Sequence, residues 1–335
     1  MNGNGHPLLE VRDLHTRYPV RRGLMEVLVR RPRRFVHAVD GVSLTVGRGE
    51  MVALVGESGC GKTTTAQTIL RLVDPASGTI RFAGEDITKR STGELRGLRR
   101  RMQVIYQDPY ESLDPRFRVR HTVEEPLLIH RIGGSRRGRL QMVVEALTRA
   151  ELTPPELYLD RYPHELSGGQ RQRVAIATSL VLDPELLVAD EPVSMLDVSV
   201  RAGILSLLDG LRRDAGMGIL MITHDLSTAA HFADRIAVMY LGRIVEEGPA
   251  SDVVSRPQHP YTRALLSVVP KRDPRDRTKA EILRGETPNP IRIPQGCRFH
   301  PRCPVAEDRC RSIDPELHSA SGATTPEHRA ACVLV

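Results

Sequence analysis

Gly56-Glu57-Ser58-Gly59-Cys60-Gly61-Lys62-Thr63 is the stretch on which the reading of this chain turns. It has the spacing G-x-x-x-x-G-K-[ST] of a phosphate-binding loop. Met51 to Val55 (MVALV) before it is an unbroken apolar run, as a buried parallel strand should be. Thr63 to Val73 after it can be a helix, stopped by Asp74-Pro75. A strand therefore feeds a glycine-rich turn that opens a helix. Backbone N–H groups point inward there, and the helix N-terminus adds partial positive charge where phosphates sit. Gly56 to Gly61 form the cradle and Thr64 continues it into the helix. Lys62 can reach the β- and γ-phosphates, and the Thr63 hydroxyl can bind Mg²⁺. The flanking strand and helix argue against a chance glycine-rich turn.

Such a loop needs a second, acidic strand end to hold Mg²⁺. Leu186-Leu187-Val188-Ala189-Asp190-Glu191 supplies four apolar residues and then two carboxylates. Asp190 would face the metal, and Glu191 would polarise the water that attacks the γ-phosphate. The plainer alternative is a charged strand-to-loop turn. Leu166-Ser167-Gly168-Gly169-Gln170 is a further signal, because it precedes the strongly helix-forming run Arg171 to Ala177. It is either a second anion-binding helix N-terminus or a Ser cap on an ordinary helix.

With these motifs in order, the chain resembles the ATP-binding subunit of an ABC transporter, whose signature is LSGGQ. The resemblance spans residues 8–250. It also takes in Gln107 (the glutamine loop), Ser194-Met195-Leu196-Asp197 after the acidic strand, His224 (the switch histidine) and Tyr18, where the family places an adenine-stacking aromatic. Met195 stands where Ala is usual. The resemblance implies an α/β fold, a P-loop NTPase (RecA-like) core with an antiparallel β subdomain and a helical insertion at about 110–180. It implies two subunits meeting head to tail, with each ATP held between one subunit's loop and the other's Ser167, Gly168, Gly169 and Gln170, and Asp197 beside them. Thr63, Gln107 and Asp190 would bind Mg²⁺. Glu191, His224 and Gln107 would serve hydrolysis.

Gln107-Asp108-Pro109-Tyr110-Glu111-Ser112-Leu113-Asp114-Pro115-Arg116 looks like the glutamine loop of oligopeptide and dipeptide importers. His259-Pro260-Tyr261-Thr262 and Gly296 to Pro304 (GCRFHPRCP) look like that group as well. Ala38 to Ser43, with Tyr110, is similar to its second, "F-type" ATPase. The implied partners are another ABC ATPase in a heterodimer, two membrane permeases and an extracytoplasmic substrate-binding protein. The chain itself would lie on the cytoplasmic face of the membrane.

Residues 251–335 form a C-terminal extension to the ATPase domain of 1–250. Four of the five cysteines lie there: Cys297, Cys303, Cys310 and Cys332, spaced C-x5-C-x6-C-x21-C. Clustering of this kind, in a chain expected to be cytosolic, points to metal more than to disulfides. No Cys-x-x-Cys pair is present, which disfavours a common zinc ribbon. Similar importer tails are associated with a [4Fe–4S] cluster, with zinc as the second choice and four reduced thiols as the plain alternative.

No apolar run approaches the ~20 residues of a membrane-spanning helix. Net charge is +7, with a dense Arg cluster at Arg21 to Arg34 that reads either as a contact for anionic lipid or nucleic acid or, more plainly, as a solvated insertion. The chain has no Trp, and so no stacking platform favours direct nucleic-acid contact. A soluble ABC ATPase acting on nucleic acid or ribosomes is the competing class, but it usually carries tandem cassettes or coiled-coil arms. An importer of nickel or another small solute is the nearer alternative. A third possibility makes the cysteine tail the main functional module, which the intact ATP motifs oppose.

Overall fold

The structure, a computed structural model, describes residues 6–20, 22, 32–108, 112–268, 283, 285–319 and 325–335. Most of the basic insertion lies outside these residues, as do Pro109, Tyr110 and Glu111 of the glutamine loop and most of 270–284. The helices in chain order are α1 (Lys62–Ile69), α2 (Thr92–Arg101), α3 (Val119–His130), α4 (Arg136–Arg149), α5 (Glu156–Leu159), α6 (Gly168–Leu180), α7 (Val198–Ala215), α8 (Leu226–Phe232), α9 (Ala250–Ser255) and α10 (Pro260–Ser267). The chain divides into two compact units. One comprises Met1–Thr45, Val52–Lys89 and Thr223–Val335; the other comprises Val46–Met51 and Arg90–Ile222.

In the first unit, β1 (Leu9–Pro19), β2 (Phe35–Val46), β4 (Ser77–Phe82) and β5 (Glu85–Asp86) form a sheet ordered β2-β1-β4-β5. Alternation sets its register. Leu9 lies opposite Phe82 and Val11 opposite Ile80, and all four are buried. β3 (Met51–Val55) is buried along its whole length and runs parallel to β9 (Arg235–Tyr240). Burial on both faces explains why its sequence is continuously apolar rather than alternating. β9 turns at Leu241-Gly242 into β10 (Arg243–Pro249), its antiparallel partner. The far C-terminus returns as β12 (Arg329–Ala330), which pairs with β10 and with β11 (His318–Ser319). The tail therefore joins the same unit as the phosphate loop.

In the second unit, β6 (Met102–Ile105), β7 (Leu186–Asp190) and β8 (Gly218–Thr223) are parallel neighbours, with Met102 opposite Leu186 and Leu186 opposite Gly218. α3, α4 and α6 pack on one another. They bury Val119, Val123 and Leu127 at helical spacing against faces that carry Val143, Leu147, Val174 and Ala177. These three helices are packed as one helical layer. α7 buries Ile204, Leu205, Leu207, Leu208 and Leu211 along one stripe. Among the described residues no helix is long and apolar enough to cross a membrane.

Candidate nucleotide site

The phosphate loop lies at the C-terminal end of β3, as the strand–loop–helix pattern requires. Gly61 precedes α1 with φ 110° and ψ 4°. A Cβ there would come within 2.1 Å of the Ala38 carbonyl oxygen and 2.8 Å of the Met239 side chain, so only glycine fits. Lys62 is buried, and its ammonium donates to the carbonyl oxygens of Gly56 at 2.7 Å and Glu57 at 3.0 Å. Both bonds pull the loop into a ring around the cation. Gly242 N–H donates to Cys60 O at 2.9 Å, and Asp40 N–H donates to Gly242 O at 2.9 Å. The β9–β10 turn thereby ties the loop to β2. Ser58, Gly59 and Thr63 are exposed, and Thr64 is half-buried. α1 ends sooner than the sequence suggests, at Ile69 instead of Val73, with Arg71 in the left-handed region at φ 54°.

Glu57 is the best-anchored residue of the loop. Its backbone N–H donates to the Tyr261 hydroxyl at 3.0 Å. Arg302 donates to both carboxylate oxygens, at 2.7 and 3.1 Å, and the Thr287 hydroxyl donates at 2.9 Å. Burial alone would raise the Glu57 pKa, but the bonds from Arg302 and Thr287 and the nearby charge of Lys62 outweigh it and hold it below the ordinary value. Tyr261 is fully buried in an aromatic group, 4.8 Å from Tyr240 and 5.4 Å from Phe299 between ring centroids. The sequence places Glu57 among the phosphate-loop residues and does not mark Tyr261, Thr287 or Arg302 as site residues. The strings 259–262 and 296–304 were informative only as marks of a subfamily.

Two other expected residues lie in this unit. Tyr18 is an exposed residue of β1, open to stacking. His224 follows β8 directly and is exposed, with Asp225 capping α8 beside it.

The second unit carries the acidic strand end. Asp190 is the last residue of β7 and is buried. Glu191 has φ 46°, a strained value for a non-glycine residue. Its N–H donates to Ile222 O at 2.9 Å, and its carbonyl accepts from the Ser194 hydroxyl at 3.1 Å. The Gln107 amide donates to the Glu191 carboxylate at 3.3 Å, so the structure brings these two expected residues together. Asp197 caps α7 by position, with no side-chain bond to it. The signature forms a closed capping box. Ser167 Oγ accepts from Gln170 N–H at 3.3 Å, and Gln170 Oε1 accepts from Ser167 N–H at 3.0 Å. The stretch is therefore a Ser-capped helix whose first residues are glycines. A Cβ on Gly169 would lie 2.5 Å from Val200, so the signature turn packs directly on α7.

In the tail, Cys297, Cys310 and Cys332 are buried, and Cys297 N–H donates to Cys310 O at 2.9 Å. Burial, with a smaller contribution from Cys332 and Cys310, pushes the Cys297 thiol up to about 11. A metal is held by the thiolate, which burial of this kind disfavours while no cation is bound. Among the described residues no three His, Cys, Asp or Glu side chains converge to hold an ion. The expected four-thiolate site is therefore not assembled in this arrangement.

Known proteins match this chain in sequence and in fold. Residues 39–194 fit the family model described as ABC transporter, and residues 245–310 fit the one described as oligopeptide/dipeptide transporter, C-terminal region. A peptide import ATP-binding protein of Brucella ovis is 46% identical over 98% of this chain and 98% of its own length. The oligopeptide transport ATP-binding protein AppF of Bacillus subtilis is 44% identical over 99% and 98%. The dipeptide transport ATP-binding protein DppF of Escherichia coli is 42% identical over 94% and 92%. An ATP-binding cassette solved as a dimer in a post-hydrolysis state, bound to ADP and Pi, is 29% identical with a TM-score of 0.63, covering 72% of this chain and 98% of that one. The chain therefore belongs to the ATP-binding proteins of ABC transporters, in the group that carries the oligopeptide/dipeptide transporter C-terminal region.

Proposed function

We propose that this ABC ATPase powers the import of di- and oligopeptides through a membrane transporter. The observation that carries this reading is near-full-length identity to proteins named for peptide transport, tail included. Lys62 and the N–H groups of Gly56 to Lys62 bind the phosphates, and Tyr18 stacks on the adenine. Mg²⁺, when bound, neutralises phosphate charge; Thr63, Gln107 and Asp190 have the oxygen donors it prefers. Glu191 accepts a proton from the attacking water, and the Gln107 amide orients its carboxylate. His224 steadies the γ-phosphate. Ser167, Gly168 and Gly169 serve the ATP of the opposing subunit, so that ATP closes the dimer and hydrolysis opens it.

The partners in this reading are a second ATPase in a heterodimer, two permeases and an extracytoplasmic binding protein, which together hold the chain at the cytoplasmic face of a membrane. The [4Fe–4S] expectation, with zinc second, rests on donor chemistry alone, and no step of the cycle passes through it. Iron and zinc analysis after anaerobic purification decides the point: stoichiometric iron with broad visible absorption supports a cluster, and its absence removes it.

A mild-detergent pull-down from native membranes, with mass spectrometry, tests the function. Recovery of two polytopic permeases and a binding protein loaded with peptides supports it. Ribosomes or nucleic acid without permeases would overturn it, and a binding protein carrying nickel would shift the cargo.

A further inference from the structure

We infer that the C-terminal region supplies positioning residues for the ATP site: Tyr261, Thr287 and Arg302 hold the phosphate loop in register through Glu57. The inference rests on the loop's role in binding ATP and adds to it a cause for the loop's shape.

The loop is short and glycine-rich, so its own backbone imposes little conformation. Its working groups are N–H donors whose directions must be fixed before phosphate arrives. Residues 57–60 lack the regular bonding of β3 and α1. At the start of that span, the Tyr261 hydroxyl fixes the peptide plane of Glu57 from outside, while Lys62 draws on the Gly56 and Glu57 carbonyls from inside. Tyr261 can do this because its ring is immobilised between Tyr240 and Phe299 at the start of α10.

The carboxylate matters as much as the backbone. Glu57 places a negative charge in a loop that receives a polyanion. Arg302, itself buried, takes up that charge with a two-pronged bond, and Thr287 fills a further acceptor site. The guanidinium also lies 5.9 Å from the Tyr240 ring centroid, which fixes its plane. Without Arg302 the loop would lose an anchor and keep an uncompensated carboxylate beside the triphosphate. These contacts join residues that are 204, 230 and 245 positions apart.

The test uses the full-length chain for ATP binding by calorimetry and the assembled transporter for turnover. Arg302→Ala should raise the ATP Kd and KM about tenfold or more, since a charged group is left unpaired. kcat at saturating ATP should stay within about twofold, because the hydrolytic groups are untouched. Arg302→Lys should recover part of the affinity. Glu57→Gln added to Arg302→Ala should recover more, because it removes the stranded charge. Tyr261→Phe keeps the packed ring and removes only the acceptor hydroxyl; it should raise Kd several-fold and decides the matter if Arg302 variants fail to fold. Arg329→Ala breaks a different tail contact, to Glu247, and should leave Kd unchanged.

Unchanged Kd and KM in both Arg302→Ala and Tyr261→Phe would overturn the inference. So would equal weakening by Arg329→Ala, since tail docking in general would then be responsible. Failure of the unaltered chain to bind ATP would instead refute the loop reading, and this inference with it.

Discussion

Gly61→Ala tests whether the phosphate loop is held rigid by the strands around it. At φ 110° an alanine pays a left-handed backbone penalty of about 1–2 kcal/mol. Its Cβ would also sit 2.1 Å from the Ala38 carbonyl oxygen, about 1.4 Å inside the ordinary separation of about 3.5 Å. Ala38 belongs to β2, whose neighbouring Asp40 is bonded into the Gly242 turn, so the strand yields only by disturbing that turn. Overpacking of this kind adds about 1–3 kcal/mol. A total near 3 kcal/mol corresponds to roughly 150-fold in ATP affinity if all of it appears in binding. Where the loop relaxes before binding, part of it appears instead as a lower Tm, so both quantities are read. Gly59→Ala is the matched control. Its φ is +79°, but nothing lies within 4 Å of the added Cβ, so it carries only the backbone term. Where the overpacking appears in binding, calorimetry with ATP should rank the two variants about fivefold or more apart. Equal Kd values with Tm values within about 1 °C would refute the argument that Ala38 and Met239 wall the loop.

Three further outcomes follow from the packing and chemistry of the chain. Glu191→Gln should cut turnover by at least 100-fold while ATP still binds, and near-normal hydrolysis would remove Glu191 as the base. Burial would raise the Asp40 carboxyl, but the bonds from Arg298 and His15 outweigh it and hold its pKa at about 2, against 3.8 ordinarily. A depressed carboxylate stabilises fully above its unfolded pKa and loses that contribution as pH falls through its folded one. Asp40 should therefore contribute about 2 kcal/mol above pH 4, fading toward pH 2. Denaturant melts of the chain and of Asp40→Asn should converge over that range, and a constant difference would contradict the ion pair. Ile204→Ala empties a fully buried site on α7 and should lower stability by about 2–4 kcal/mol, a loss under 1 kcal/mol implying a core that collapses around the gap.

The features legible in the sequence are those whose chemistry needs contiguous residues. The phosphate loop, the acidic strand end and LSGGQ each declare themselves within eight residues, because a backbone cradle or a helix cap is built locally. Strands β3, β7 and β8 were equally plain, since burial on both faces leaves an apolar run. α7 was not expected, although its leucines recur at helical spacing. Val198, Val200, Gly203 and Gly210 weaken its intrinsic propensity, and tertiary burial of the leucine stripe overrides that weakness. The short strands β11 and β12 hold two residues each, too few for any periodicity to show.

The tail illustrates a deeper limit. Cysteine spacing drew the sequence reading toward a metal, and the arginines between the cysteines passed unnoticed. Arg298 and Arg302 lie four apart in a segment without regular structure, and both are buried. Arg298 bonds to the Asp40 carboxylate of β2 and to Leu241 O at 2.7 Å, while Arg302 bonds to Glu57. Two guanidiniums in one turn thus reach the strand behind the phosphate loop and the loop itself. A buried ion pair contributes little net stability compared with apolar packing of the same shape. What two such pairs do provide is direction: Arg302 donates to both Glu57 carboxylate oxygens, and Arg298 divides its donors between the Asp40 carboxylate and the Leu241 carbonyl. Replacing them with apolar residues of similar volume could leave Tm unchanged, yet the loop would lose the groups that fix where it sits. The tail is then best understood as the back wall of the nucleotide site, and its arginines as the residues that aim it.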